Sequence, residues 1–101
     1  MVRGADLRGV SFYDADLTGC NFCGADLRGA DFAKALLDCA CFDGADLRGT
    51  SFINATIGSA HFNGADLRGA NICGVFFGNA TMIDAELDGI VKDEDTILPT
   101  S

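Results

Sequence analysis

Large apolar side chains recur at every fifth position through most of the chain, from Leu7 to Leu87. A small or short residue, usually alanine, stands two positions before each of these centres, and Gly, Asn or Asp is favoured two positions after it. An α-helix advances about 100° per residue, so this period would scatter the centres around its axis. Side chains of a continuous strand alternate between faces, so an odd period would send successive centres to opposite sides. The seventeen centres are Leu7, Phe12, Leu17, Phe22, Leu27, Phe32, Leu37, Phe42, Leu47, Phe52, Ile57, Phe62, Leu67, Ile72, Phe77, Met82 and Leu87.

The pattern therefore predicts a chain that turns once in every five-residue repeat. Within a repeat, the small residue and the centre are two positions apart and point the same way, as a short extended segment requires. The following pair of residues is rich in Gly, Asn and Asp, which tolerate positive φ or form local side-chain hydrogen bonds.

A second period shows how many repeats close one coil. The sequence GADLRG occurs at residues 4–9, 24–29, 44–49 and 64–69, always twenty residues apart. Four repeats per coil follow, and coils that pair as neighbouring strands would stack at about 4.8 Å. Leu and Phe then fall in alternate inner columns, with Ala where nothing larger fits.

Runs such as Ala25-Asp26-Leu27-Arg28-Gly29 follow the order small residue, Asp or Asn, Leu or Phe, polar residue, Gly. In this respect the chain resembles the pentapeptide-repeat family over about residues 4–90. The resemblance implies an all-β fold, a right-handed quadrilateral β-helix of about four coils of 20 residues. We expect residues 1–90 to form this β-helix. Lys92 ends the register, and residues 91–101 are expected to form a C-terminal cap or a disordered tail.

Four residues depart from the family pattern and make part of the outer surface more apolar: Leu36, Cys41, Ile53 and Phe76. Leu36 and Phe76 are expected on one side of the solenoid, with Thr56 between them. Tyr13, Ala33, Ile53 and Cys73 form a column on the neighbouring side. Such columns are compatible with a surface for a partner or for self-association. They are equally compatible with ordinary scattered surface apolar groups.

The net charge of −8 is unevenly distributed. Residues 1–85 carry ten acidic side chains against six basic ones, and the last sixteen residues carry five against one, so each part contributes −4. This balance argues against direct nucleic-acid binding, which needs cations to neutralise phosphate. Neither a membrane span nor a signal peptide is predicted, so a cytoplasmic location is expected.

Twenty-residue stacking places Asp6, Asp26, Asp46, Asp66 and Glu86 in one outer column. Arg8, Arg28, Arg48 and Arg68 lie in a parallel one. We favour a stabilising interpretation, in which opposite charges offset repulsion within each column. A charged ladder that docks a polymer or an acidic ligand is the alternative.

Cys20, Cys23, Cys39 and Cys41 have a spacing loosely like a zinc site. Their places in the register do not converge, because Cys20 points inward, Cys23 and Cys41 point outward and Cys39 sits at a turn. Cys23 and Cys41 are expected to be neighbours along a diagonal too long for an unstrained disulfide. We therefore predict free, reduced thiols, no metal and no cofactor.

No catalytic residues are predicted. His61 is the one histidine of the sequence, and no Ser, Cys or carboxylate arrangement around it forms a triad. The recurring glycines belong to turns and not to a phosphate-binding loop. The chain is therefore expected not to be an enzyme.

The leading hypothesis is a β-helical module for protein–protein interaction or scaffolding with an unidentified protein partner. The family suggests an alternative, because some members resemble B-form DNA, bind DNA gyrase and protect it from quinolones. A further alternative is a structural piece of a larger protein. Stacking through one coil end would give a homodimer and cover unpaired backbone groups.

Overall fold

The computed structural model describes residues 4–94, 96, 98 and 99. Within these residues there is neither a helix nor a multi-residue strand. The paired positions are single residues that form parallel β-bridges to residues twenty positions further on, such as Asp6 with Asp26 and Asn71 with Val91. Each coil therefore takes twenty residues and four turns, and we number the coils from residues 5–24, 25–44, 45–64 and 65–84.

We number the four sides by their centres. The first side carries Leu7, Leu27, Leu47, Leu67 and Leu87, and the second carries Phe12, Phe32, Phe52 and Ile72. The third side carries Leu17, Leu37, Ile57 and Phe77, and the fourth carries Phe22, Phe42, Phe62 and Met82.

Local hydrogen bonds explain why the repeat has its composition. The side chain before the centre accepts the backbone N–H two residues later, as Asn21 does from Cys23 at 2.9 Å and Asp31 does from Ala33 at 2.9 Å. The N–H three residues after the centre then donates to the carbonyl of the centre, closing a turn such as Leu7–Val10. The second central residue of that turn has positive φ, +67° at Gly9, as a type II turn requires.

The core is a stack of similar layers. Centres and alanines of the second to fourth coils are almost fully buried; Leu37, Ala40 and Phe42, for example, are 0% exposed. The rings of Phe32 and Phe52 stack with centroids 5.0 Å apart and an interplanar angle of 5°. Aromatic pairs of this kind contribute about 0.5–1.5 kcal/mol beyond the area that they bury.

Part of the C-terminal segment packs against the last coil. The hydroxyl of Thr96 donates to the carbonyl of Ile72 at 3.3 Å, and Leu98 packs against the core. Within the described residues this segment therefore covers apolar surface. The boundary that we place after residue 90 stays a prediction.

Candidate interaction surface

The first side is a regular ladder of ion pairs. Each Arg donates twice to the Asp of its own repeat; in the third coil, Arg48 Nε and Nη2 lie 2.8 and 2.6 Å from the Asp46 carboxylate oxygens. Arg48 Nε also lies 3.7 Å from Asp66 of the next coil, so the pairs join into a continuous network. The predicted columns are therefore present, and each positive charge lies against a negative one.

The ion pairs shift the pKa of their members. Hydrogen bonding to Arg8 lowers the pKa of Asp6 to about 2. Hydrogen bonds from Arg28, Arg48 and Arg68 likewise lower the pKa of the Asp in their repeats, and the pKa of each Arg is raised in return. Because its charges are paired, this side offers little to a charged ligand.

The corner between the second and third sides is different. Asp14, Lys34, Asn54 and Gly74 form its tip, and the two apolar columns predicted from the sequence lie on either side of it. Its exposed members, with exposed fractions, are Tyr13 at 52%, Leu36 at 44%, Ile53 at 37% and Phe76 at 64%. We call these residues, with the tip, the apolar corner.

The backbone ladder is interrupted beside this corner. Leu36 pairs with Thr56, but Thr56 and Phe76, both described, form no β-bridge. The N–H groups of Ile57 and Phe76 have no hydrogen-bond partner among the described residues. An open cleft of about 480 Å³ lies here, lined by residues 54–58 together with Gly74 and Phe76.

A one-residue shift of glycine accompanies the interruption. In most repeats glycine stands two residues after the centre, but in the third side of the third and fourth coils it stands one residue after it, at Gly58 and Gly78. Positive φ accordingly moves to Gly58, at +54°, so the turn becomes type II′. At residues 77–80 neither central residue has positive φ.

The altered turn redirects a backbone group. The N–H of Gly19 donates to Asp38 O in the following coil at 2.9 Å, as the regular turn dictates. The N–H of Ser59 instead points to the preceding coil and donates to the carboxylate of Asp38 at 3.0 Å. That carboxylate lies directly over Gly58, and the ring of Phe76 lies over Gly78, so a side chain at either position would require Asp38 or Phe76 to move.

Cys23 and Cys41 form a disulfide, which corrects the prediction of free thiols at these two positions. Their Cα atoms are 5.8 Å apart, within the usual range for a disulfide. Cys23 is the first turn residue after Phe22, so the chain has already bent and the diagonal is shorter than continuous strands would make it. Cys20, Cys39 and Cys73 are free.

The remaining candidate residues are dispersed. His61 is exposed, and its Nδ1 lies 3.2 Å from the Thr81 hydroxyl. Among the described residues, no cluster of His, Cys, Asp and Glu could hold a metal ion, and no helix is long and apolar enough to cross a membrane. The predictions of no catalysis and no cofactor are not tested by this geometry.

The repeat pattern matches the family model for pentapeptide repeats in eight copies, over residues 2–22, 15–54 and 60–90. The chain belongs to the pentapeptide-repeat family. This confirms the resemblance seen in the sequence. No curated protein matches the chain.

Solved pentapeptide-repeat proteins are similar in structure. The protein alr5209 from Nostoc is 33% identical with a TM-score of 0.83, and the match covers 90% of this chain and 75% of that one. A pentapeptide-repeat protein from the Arabidopsis thaliana thylakoid lumen is 31% identical with a TM-score of 0.55, covering 97% of this chain and 61% of that one. QnrB1, a plasmid-mediated fluoroquinolone resistance protein, is 22% identical with a TM-score of 0.56, and the match covers 91% of this chain and 60% of QnrB1.

These similarities confirm the predicted all-β quadrilateral β-helix. The chain spans about three fifths of the lengths of the thylakoid-lumen protein and QnrB1. At its low identity, the likeness to QnrB1 shows the fold alone.

Proposed function

We propose that this pentapeptide-repeat protein is a non-enzymatic module that binds another protein through the apolar corner and its cleft. The observation that carries the proposal is Phe76, an aromatic side chain 64% exposed beside an open cleft of about 480 Å³. Interfaces commonly depend on a few aromatic anchors near pockets that lose water on binding. A repeat solenoid can vary such outer residues without disturbing its core.

The backbone of the cleft adds a polar group to this apolar surface. The N–H of Phe76, an exposed residue, has no hydrogen-bond partner among the described residues. A partner would supply an acceptor for this N–H while covering the Phe76 ring. Directional hydrogen bonds beside an apolar anchor favour specific over non-specific contact.

A pair of matched variants tests this proposal. Phe76→Asn restores the polar residue usual at its position, and Ile83→Asn changes a similarly exposed residue, 59%, on the fourth side. Proteins cross-linked to the wild type in an extract of its source cells would be identified by mass spectrometry. Their affinities would then be measured with purified components.

We expect Phe76→Asn to weaken the binding of the authentic partner by about thirtyfold, the effect of losing a hot-spot residue. Ile83→Asn should leave the affinity unchanged. Equal binding by the two variants would place the interface elsewhere and reject the apolar corner.

The gyrase-binding, DNA-mimic alternative is favoured by one observation about charge. The four Asp–Arg pairs neutralise one another on the first side, so the whole net charge of −8 is carried by other residues. An acidic surface of this kind could face the DNA-binding groove of a topoisomerase. A gyrase supercoiling assay with and without a quinolone tests this. Inhibition or protection supports it, and no effect at micromolar protein rejects it.

Other predictions from the sequence are not tested by the structure. Light scattering would distinguish a monomer from the homodimer through a coil end. The role as a structural piece of a larger protein stays an alternative. A cytoplasmic location also stays a prediction, and the Cys23–Cys41 disulfide removes one of its supports, since cysteines in the cytoplasm are usually reduced.

A further inference from the structure

Two glycines on the third side bring a carboxylate and an aromatic ring together on the outer surface. The residue directly after the centre carries a side chain in every repeat except those of Gly58 and Gly78. The Asp38 carboxylate lies over Gly58, and the outer edge of the Phe76 ring lies over Gly78. Because the two glycines are counterparts in neighbouring coils, the carboxylate and the ring lie one coil apart on the same surface.

The Asp38 carboxylate is held in place but has no counter-charge among the described residues. Its Oδ1 accepts the N–H of Ser59 at 3.0 Å, which fixes its position over the third coil. The ion pairs of the described residues all belong to the first side, and none of them includes Asp38. Asp38 is exposed, so its negative charge is accessible to a cation from outside.

The carboxylate and the ring together match the chemistry of a guanidinium group. The Phe76 ring is 64% exposed, and the face of an aromatic ring attracts a cation. A guanidinium group is planar, so it can lie against a ring while its N–H groups donate to a carboxylate. An ammonium group has no plane to stack on the ring. A neutral or acidic group covering Asp38 would leave the carboxylate without a counter-charge as water is lost.

We infer that Asp38 and Phe76 form a binding site for an arginine side chain of the protein partner. The guanidinium group lies against the Phe76 ring and donates to the Asp38 carboxylate, and the apolar stem of the arginine covers part of the cleft. The net charge of −8 favours the approach of such a cationic group. The inference rests on the proposed protein-binding function and adds the chemistry of the group that is bound.

A pair of small probes tests the site without the partner. N-acetyl-arginine amide and N-acetyl-citrulline amide have nearly the same shape, but the citrulline side chain is uncharged. Each would be titrated into the isotopically labelled full-length protein, and NMR would follow the backbone amide signals of Gly58, Ser59 and Gly78. The shifts give a dissociation constant for each probe.

Three variants separate the contributions to binding. Asp38→Asn removes the charge and keeps an oxygen for the Ser59 N–H, and Phe76→Leu removes the ring and keeps an apolar side chain. Asp43→Asn, on the fourth side, is the matched control. The Asp43 carboxylate likewise accepts a backbone N–H from the next coil, that of Asn63 at 2.8 Å.

We expect the arginine probe to bind about tenfold more tightly than the citrulline probe, because the uncharged group loses both the ion pair and the cation–π contact. Asp38→Asn should weaken binding of the arginine probe about fivefold, and Phe76→Leu about threefold. Asp43→Asn should leave the dissociation constant unchanged. Equal affinity for the two probes, equal losses in Asp38→Asn and Asp43→Asn, or no shift at Gly58 and Gly78 would each overturn the inference.

Binding of the partner separates this inference from the proposed function. If Phe76→Asn weakens binding of the partner and Asp38→Asn does not, the apolar corner is the interface and the arginine contact is rejected. If Asp38→Asn also weakens it, and Asp43→Asn does not, the arginine contact is supported. If neither Phe76→Asn nor Asp38→Asn weakens it, the proposed function itself is rejected, and with it the arginine of the partner.

Discussion

The first and third sides of this β-helix share one core but differ in their outer surfaces. On the first side, GADLRG repeats without change through four coils, and Asp–Arg pairs run along a complete ladder. On the third side, glycine shifts by one residue in two repeats, and the bridge between Thr56 and Phe76 is missing among the described pairs. Where the repeat is regular, the charged and backbone groups pair with one another; where it is broken, the N–H groups of Ile57 and Phe76 have no hydrogen-bond partner among the described residues.

The largest expected effect on stability comes from shortening one core side chain on each of the two sides. Leu47→Ala on the regular side should cost about 3–5 kcal/mol, because its closed surroundings leave a cavity that they cannot fill. Ile57→Ala, beside the cleft, should cost nearer to about 2 kcal/mol, since neighbours at an open edge can relax into the space. Both residues are at most 1% exposed. Urea unfolding measures the loss in free energy of unfolding for each variant. Equal losses would mean that the residues around the cleft do not relax into the space left by Ile57.

Replacing either of two glycines by alanine should reduce stability by an intermediate amount. Gly49 has φ of +68° and open space around it, so Gly49→Ala should cost about 1–2 kcal/mol from the left-handed backbone alone. Gly58→Ala should cost more, because its new methyl group also collides with the Asp38 carboxylate. Thermal unfolding compares the two variants. Adding Asp38→Ala should remove the excess, and its persistence would contradict the proposed collision.

The smallest effect is a pH dependence that comes mainly from the first side; on the third side, hydrogen bonds from Thr18 also lower the pKa of Asp16. The pKa of Asp6, Asp26, Asp46 and Asp66 is lowered in the folded state by hydrogen bonds to Arg, to about 2 for Asp6. The unfolded chain therefore binds protons first as the pH falls. The stabilisation is complete above the unfolded pKa of about 4 and is lost as the pH falls toward 2.

Acid titration of stability by urea unfolding measures this loss. An Asp26→Asn/Asp46→Asn/Asp66→Asn variant should show a flatter profile between these pH values. Asp38→Asn, on the third side, is the control and should keep the wild-type slope. A profile that the triple variant leaves unchanged would show that the ladder contributes nothing that depends on pH.

The sequence itself determined the coil, the core and the charged ladder. A five-residue apolar period is incompatible with a helix or a continuous strand, and the twenty-residue repeat of GADLRG determines which residues stack. The shift of glycine to positions 58 and 78 was also present in the sequence. This shift is the feature of the sequence from which an irregular third side could have been predicted.

The tertiary structure alone decided how outer residues on different coils meet. Register predicts columns, but it does not give the short diagonal between Cys23 and Cys41, because that distance depends on where the chain bends. Nor does it place the Asp38 carboxylate over Gly58 or the Phe76 ring over Gly78. Inner positions repeat because each core layer must fit the layers on either side of it, whereas the outer contacts depend on the three-dimensional path of each turn.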